Sequence, residues 1–467
     1  MKRYDLFVIG SGPAGQKAAI QAAKAGARVA VCEQLREIGG ACVHQGTIPS
    51  KALRERALQR LDAVGARDFE AVRGVPIAEL IGEVGDVVRA HDRYMSDQLR
   101  RNGIEILHGR ASFESAEVLR VRTINGNVDR YATDFAIIAS GSRPRQVASV
   151  PVDHEHVLDS DSILSLAYLP RSLAVLGGGV IACEYASIFA LLGVEVTLID
   201  RADRPLGFLD RDLTDRFLAA FAALGGTYRG ATEVRSARFN GISSVAVDLA
   251  DGDRVEADKV LCALGRVSQL GGLNVEALGV VVDERGLVRV NEHYQTDVPN
   301  IYAAGDVVGP PSLASSAMEQ GRHAACHILG LDSGRLGDWI PAGIYAVPEL
   351  ASVGLTEAEA RRRHPGSVVG YADFREIARG HIAGRVSGML KLVVAPDGRV
   401  LGVHVIGAQA TDLVHIGQMA LIHDAGVDVF IENVFNFPTY AESYRVAALH
   451  AASQLHADAR AGDARSA

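Results

Sequence analysis

The chain is 467 residues long, 48% hydrophobic and 22% charged with 49 glycines, a balance that excludes a disordered chain and predicts a turn-rich globular one. At ~150 residues per domain it holds about three domains, each able to bury a core of ordinary size. Its formal net charge of −8 argues against nucleic acid as a partner, because phosphate backbones are held by basic surfaces. No apolar run approaches the ~18 residues that span a membrane. The five cysteines (Cys32, Cys42, Cys183, Cys262, Cys326), odd in number and irregular in spacing, suggest neither a disulfide framework nor a metal site. A reducing, cytoplasmic setting with no leader ahead of the first strand is the expectation.

Residues 4–9 form a short apolar run, followed by Gly10-Ser11-Gly12-Pro13-Ala14-Gly15 and an alanine-rich helical stretch to about residue 25. A second apolar strand over 27–31 leads to Glu33, completing the fingerprint of a dinucleotide-binding βαβ unit. Gly10 permits the turn, Gly12 lets the backbone approach a pyrophosphate, and Gly15 lets helix and strand pack closely. The free N–H groups at the helix start stabilise the phosphate charge.

Amphipathic helices are predicted over 51–64 and 77–101, then strands near 104–107, 118–121 and 135–139. The last strand ends in a turn at Ser140, Gly141, Ser142, Arg143 and Pro144. The opening pattern then recurs 167 residues on, with a strand at 173–176, Gly177-Gly178-Gly179, Ala182, a helix to about 192, a strand at 195–199 and Asp200. Gly10, Gly12, Gly15 and Glu33 map onto Gly177, Gly179, Ala182 and Asp200. One glycine fingerprint is weak evidence, but two complete units in one register are strong evidence for two dinucleotide folds.

A strand over 260–264 runs into Gly265 and Arg266, and residues 301–306 form another short strand ending in Gly305 and Asp306. After Trp339 the strands and helices shorten, which marks a third domain. The expected fold class is α/β, with two Rossmann-like dinucleotide-binding domains, the second inserted in the first, and a C-terminal α+β domain. The expected boundaries are 1–155 and 276–340 for the first domain, 156–275 for the second and 341–455 for the third. Residues 456–467 are expected to be a mobile tail without periodicity.

Two dinucleotide folds with Gly39-Gly40-Ala41-Cys42 just after the first fingerprint resemble the FAD-dependent pyridine nucleotide-disulfide oxidoreductases along nearly the whole chain. Those enzymes carry Cys-x4-Cys beside the flavin, but here the segment reads Cys42-Val43-His44-Gln45-Gly46-Thr47-Ile48-Pro49-Ser50-Lys51. Thr47 cannot form a disulfide, so the dithiol store is missing. Cys32 is a poor substitute, since it precedes Glu33 at the ribose end of its strand. Cys42 is most simply a small buried residue with a thiol. The family's acid-base histidine precedes Pro-Thr near the C-terminus, and here Phe437 precedes Pro438-Thr439, with Glu442 at the orienting position. Thiol pair and base are lost together.

This combination is similar to the soluble pyridine nucleotide transhydrogenase branch of that family, as are Cys183-Glu184-Tyr185-Ala186-Ser187 and Pro311-Ser312-Leu313-Ala314-Ser315. The resemblance implies reversible hydride transfer from NADPH to NAD through FAD, by a ping-pong route and in a homodimer that places Phe437 and Glu442 over the partner's flavin. It implies FAD on Gly10, Gly12, Pro13, Ala14, Gly15 and Glu33, lined further by Gly40, Ala41, Cys42, Thr47, Ser140 and Gly141, with Asp306 on a ribityl hydroxyl. Lys51 and Glu184 match a pair beside the flavin N5, and the helix from Leu313 and Ala314 aims its positive end at the flavin pyrimidine.

The nicotinamide coenzyme is expected on Gly177, Gly179, Ala182 and Gly265. Asp200 would bind the NAD ribose, while Arg201 would attract the NADP 2′-phosphate, with Arg204 as a second cation. Four other readings stay open: a disulfide reductase of the dihydrolipoamide dehydrogenase type, an NAD(P)H diaphorase, an NAD(P)H oxidase, or a non-catalytic flavin- and NAD(P)-binding redox sensor.

Overall fold

The computed structural model describes residues 1–64, 77–334 and 337–466. The chain forms two units, one of Met1–Arg56, Val75–Leu169 and Leu264–Leu336, the other of Ala57–Gly74, Pro170–Ala263 and Gly337–Ala467. The second dinucleotide fold is therefore an insertion in the first.

The first unit opens with β1 (Lys2–Ile9), α1 (Pro13–Lys24) and β2 (Val29–Glu33), followed by α2 (Gly40–His44), α3 (Thr47–Val64) and α4 (Ile77–Arg101). Strands β3 (Glu105–His108), β4 (Arg110–Ser115), β5 (Val118–Arg122) and β6 (Val128–Ile138) complete most of its sheet, in the order β3-β2-β1-β6-β5-β4. Strands β1, β2, β3 and β6 are mutually parallel, and their apolar faces are buried on both sides, as a parallel sheet between helices requires. Pairing with β1 shifts β2 two residues later than its apolar run suggests, which makes Glu33 its last residue. Strand β6 begins well before the expected residue 135, because its polar half pairs antiparallel with β5. Short strands β7 (Ser142–Pro144) and β8 (Val157–Leu158) follow.

In the second unit, β9 (Ser172–Leu176), α5 (Val180–Leu191) and β10 (Glu195–Ile199) repeat the opening unit. The repeat is exact to the residue: α1 and α5 have bounds 167 positions apart, and Leu6↔Val29 becomes Leu173↔Val196. After α6 (Arg211–Ala223) and β11 (Thr227–Arg229), an antiparallel meander of β12 (Val234–Phe239), β13 (Val245–Leu249) and β14 (Arg254–Ala257) leads to β15 (Lys259–Cys262), which lies parallel to β9.

The chain re-enters the first unit at Leu264, earlier than the expected residue 276. The physical reason is β16 (Arg266–Ser268), which pairs antiparallel with β7, while the amide of Phe113 donates to Leu273 O. Strand β17 (Ile301–Ala303) then joins β6, and α7 (Ala314–Ile328) packs on α1. That packing is close: a Cβ on Gly321 would lie 2.1 Å from Ala14 O.

The C-terminal α+β domain belongs to the second unit. Its antiparallel sheet comprises β18 (Ala342–Ile344), β19 (Leu350–Gly354), β20 (Val368–Asp373), β21 (Met389–Val394) and β22 (Val400–Ile406), ordered β18-β19-β22-β21-β20. Helix α8 (Glu357–Arg363) lies between β19 and β20, and α9 (Ala410–Ile422) and α10 (Glu442–Ser466) cover the sheet. The stretch expected to be a tail continues α10 as helical backbone to Ser466. Among the described residues, no helix is long and apolar enough to cross a membrane.

Candidate functional site

The first fingerprint turn is built as its glycines require. Gly10 has φ +105°, and a Cβ there would lie 2.3 Å from Ala139 O, while one on Gly15 would lie 2.0 Å from Gly10 O. Around Gly12 no atom lies within 4 Å of such a Cβ, so the helix start stays open to a ligand. Pro13 begins α1 and no side chain caps it, leaving the first-turn N–H groups to an anion. Helices α5 and α7 likewise start without side-chain caps, at Gly179 and Leu313. By contrast α6 and α8, for which no ligand is expected, are capped by Asp210 and by a Thr356-Glu359 box.

Glu33 is only 5% exposed and organises this turn. One carboxylate oxygen accepts from the Ser11 amide (3.0 Å) and hydroxyl (2.7 Å), the other from the Leu35 amide (3.0 Å). Ser11 Oγ in turn accepts from the Gly39 amide at 2.9 Å, which fixes the turn before α2. Gly40 follows with φ +61°, and a Cβ on it would lie 3.0 Å from Gly12 Cα. The sequence pattern names Glu33 but misses Ser11, whose place inside the fingerprint is the signal that was available.

Helix α2 carries Ala41 and Cys42, and α3 starts at Thr47 and carries Lys51. Cys42 is half-buried rather than fully buried as expected. Burial pushes the Cys42 thiol up from its ordinary pKa, against the Thr47 hydrogen bond and the Lys51 charge, with Asp306 adding to the rise. None of the five cysteines forms a disulfide, and Cys32, its pKa pushed to about 12 chiefly by burial, donates to Gly109 O at 3.2 Å.

Asp306 is held by residues that the fingerprint does not reveal. Ser142 Oγ donates to its Oδ2 at 2.5 Å, and Arg266 clamps Ser142 through Nε to Oγ and Nη2 to the carbonyl, both at 2.8 Å. Gln320 Oε1 accepts from the Gly305 amide at 2.8 Å, tying the strand end to α7. Ser140 Oγ and Ser316 Oγ are buried without a partner. Buried hydroxyls normally find partners, so these two, with the open helix starts and the buried Glu33, fit a polar dinucleotide such as FAD in the first unit.

The second fingerprint has the same backbone. Gly177 has φ +108° and Gly179 is extended like Gly12. Ala182 replaces the third glycine and is fully buried. Gly178 stands where Ser11 was, and a Cβ on it would lie 2.2 Å from Asp200 Oδ2, so the shorter acid sits directly against the loop. Asp200 accepts from the Arg201 amide at 2.9 Å. Burial raises its carboxyl pKa, opposed by the amides of Arg201, Ala202 and Gly178 and by the Arg201 charge.

Arg201 is exposed, whereas Arg204 departs from expectation: its guanidinium is paired with Asp215 on α6. Gly265 is exposed, with φ +101°. Glu184, 3% exposed on α5, accepts from the Tyr345 amide at 2.9 Å. In the C-terminal domain, Phe437 is 68% exposed and Glu442 Oε2 accepts from the Thr439 amide at 3.4 Å.

A further polar centre has no counterpart in the sequence reading. Lys391 on β21 is 1% exposed, and its Nζ donates to Asp210 (2.8 Å), Asp212 (2.7 Å) and Glu357 (2.6 Å). A lysine inside an otherwise apolar strand is the sequence signal for such a centre.

Comparison with known proteins agrees with this geometry. The pyridine nucleotide-disulphide oxidoreductase model matches residues 4–321, and its dimerisation domain matches 340–448. The chain is 40% identical over 464 residues to the soluble pyridine nucleotide transhydrogenase of Mycobacterium bovis, covering 98% of this chain and 99% of that one. It is 41% identical over 458 residues to the protein of that name from a Marinomonas species, covering 96% and 98%. Among solved structures it resembles the HOCl-induced flavoprotein disulfide reductase RclA of Escherichia coli and LpdA of Mycobacterium tuberculosis, each with a TM-score of 0.88, 26% identity and coverage of 96% and 99%. The chain belongs to the pyridine nucleotide-disulphide oxidoreductase family, in the branch of the soluble pyridine nucleotide transhydrogenases.

Proposed function

We propose that this protein moves hydride between NADPH and NAD through bound FAD, reversibly and by ping-pong alternation at one nicotinamide site, without a redox-active disulfide. The observation that carries this reading is Thr47 at the start of α3, five residues after Cys42, where a dithiol would need a second sulfur. Reduction of a disulfide takes up two protons, so it requires an acid-base group. The sum of NADPH and NAD+ going to NADP+ and NADH moves no net proton, and Phe437 at the base position is compatible with it.

FAD, when bound, supplies a two-electron acceptor and donor that either nicotinamide can face. The chain's own groups bind and orient. The α1 start and Glu33 take the pyrophosphate and adenosine ribose, Asp306 a ribityl hydroxyl, and the α7 start offers its positive end to the flavin pyrimidine. Lys51, on the helix after Cys42, serves beside the flavin, and Glu184, on the helix that opens at the second fingerprint, serves beside the nicotinamide. Asp200 accepts from the NAD ribose, and Arg201 pairs with the NADP 2′-phosphate.

A cytoplasmic homodimer completes the reading, supported by five cysteines that form no disulfide and by the match to the dimerisation domain. In it Phe437 covers the face where disulfide substrates enter in related enzymes.

The test is anaerobic stopped-flow on the holoprotein. One equivalent of NADPH should bleach the visible flavin absorbance. After removal of the coenzyme, NAD+ should restore it within the turnover time and yield one equivalent of NADH. A flavin that stays bleached would sink the proposal. In steady state, Arg201→Ala should raise KM for NADPH by about 10-fold or more, the loss of one charge-assisted hydrogen bond, and leave KM for NADH within about 2-fold. Equal effects on both coenzymes would count against Arg201 as the phosphate ligand.

A further inference from the structure

Arg204 was expected to offer a second charge to the 2′-phosphate, yet it is already committed. Its guanidinium pairs with one carboxylate oxygen of Asp215 on α6, while the other lies 3.7 Å from Arg211 Nε. The segment carrying Arg204 is pinned on both sides. Ala202 O accepts from the Tyr228 hydroxyl at 2.9 Å and the Ala231 amide at 2.8 Å, and the Leu206 amide donates to Gly178 O at 2.8 Å. Between these anchors the backbone has little freedom, so the direction of Arg204 is decided by which anion its side chain meets.

Arg204 is four residues along this pinned loop from the coenzyme acid Asp200. The Tyr228 phenol pKa is raised, first by burial and then by the Asp200 and Asp203 carboxylates, and the Arg204 charge opposes this. The charges of Asp200 and Arg204 thus act on the same phenol in opposite senses. The local charges are balanced, with Asp200, Asp203 and Asp215 against Arg201, Arg204 and Arg211. NAD adds no charge at the ribose 2′ position. NADP adds a phosphate of about −2, which favours the arginines and is repelled by Asp215.

We propose that Asp215 is a specificity-determining residue that restrains NADP binding by competing with the 2′-phosphate for Arg204. This rests on the reading that Asp200 and Arg201 face the coenzyme ribose. Asp215 is 46% exposed and Arg204 28%, so the ion pair is weak enough for a bound phosphate to displace. The pair thereby keeps affinities for the two coenzymes close, which suits a site that must release one and take the other.

The experiment is calorimetric titration of the FAD-loaded full chain with adenosine 2′,5′-bisphosphate and, separately, with AMP. Asp215→Asn should tighten the bisphosphate by about 5-fold, the upper range for an exposed pair, and leave AMP within about 2-fold. Arg204→Ala alone should change neither by more than about 2-fold. Adding Arg204→Ala to Asp215→Asn should erase the gain.

A bisphosphate affinity unchanged by Asp215→Asn overturns the proposal. A gain that survives in the double variant does so too, because it would reflect the general field of the carboxylate. Arg201→Ala separates the two levels of inference. If Arg201→Ala weakens the bisphosphate selectively while Asp215→Asn does nothing, only the role of Asp215 fails. If no variant, Arg201→Ala included, distinguishes the bisphosphate from AMP, the coenzyme reading fails with it.

Discussion

Glu33→Ala is expected to weaken FAD binding by about 100-fold or more, read as the fluorescence quenching of FAD titrated into the apoprotein. The side chain is buried and accepts three hydrogen bonds, from the Ser11 amide and hydroxyl and from the Leu35 amide. Alanine strands all three donors, and each buried unsatisfied group costs ~1–3 kcal/mol. It also loosens Ser11 Oγ, the acceptor of the Gly39 amide, so the turn leading to Cys42 shifts together with the fingerprint.

Glu33→Gln separates shape from charge. It keeps an acceptor for the Ser11 amide and replaces the other oxygen by a donor facing the Leu35 amide, so an intermediate loss of affinity is expected. Wild-type affinity in Glu33→Ala would mean that the acid serves the apoprotein turn alone.

Much of this site was legible because glycine constraints are local. Gly10, Gly12 and Gly15 have counterparts at one offset, and the turn, the helix bounds and the strand register obey that offset to the residue. A chain reversal that needs φ above zero and a helix that must touch a strand leave few residue choices, so the spacing carries the geometry.

What was not legible depends on side chains that the fold brings from afar. The Ser142-Asp306 contact joins residues 164 apart, and the Lys391-Asp210 contact residues 181 apart. Strand β6 was read short because its polar half gains order only from pairing with β5. Arg204 was read as a free cation because sequence gives charge but not the partner, and here the partner sits on the next helix.

Lys391→Met should lower the apparent Tm of the holoprotein, by an amount equivalent to ~3–5 kcal/mol, the usual cost of removing one member of a buried ion cluster. The lysine is 1% exposed and its main partner Asp210 3%, so water cannot replace the lost charge at Asp210, whereas Asp212 and Glu357 are 37% and 24% exposed and are partly screened. Asp210 also caps α6 and accepts from the Glu357 amide at 2.9 Å, joining the coenzyme domain to the C-terminal sheet.

The pH dependence gives a sharper test. Burial alone would lower the Lys391 pKa, but hydrogen bonds to Asp210, Asp212 and Glu357 raise it above the ordinary lysine range. A raised lysine contributes its full stability below its unfolded pKa and loses it only as pH climbs through the folded value, so from pH 6 to about pH 9 its contribution is constant. Asp210 is lowered: burial raises it, and His404, Lys391 and the Glu357 amide more than offset that. Its contribution is present above the ordinary aspartate value and is lost as pH falls through the lower folded one. Burial lowers the His404 pKa from its ordinary value, against the Asp210 charge, so this group favours the fold above that ordinary value and opposes it in acid.

In Lys391→Met Asp210 loses one of the charges that hold its carboxyl low, so burial is less opposed. Its pKa should rise, and protonation in mild acid should remove the charge that lacks a partner. The Tm deficit of the variant is therefore expected to be flat near neutral pH and to shrink below about pH 5. The double variant Lys391→Met with Asp210→Asn should recover part of the deficit at pH 7, since asparagine keeps the capping oxygen without the charge. A deficit that grows in acid, or a double variant less stable than Lys391→Met alone, would show that packing of the lysine stem rather than its charge joins α6 to the C-terminal sheet.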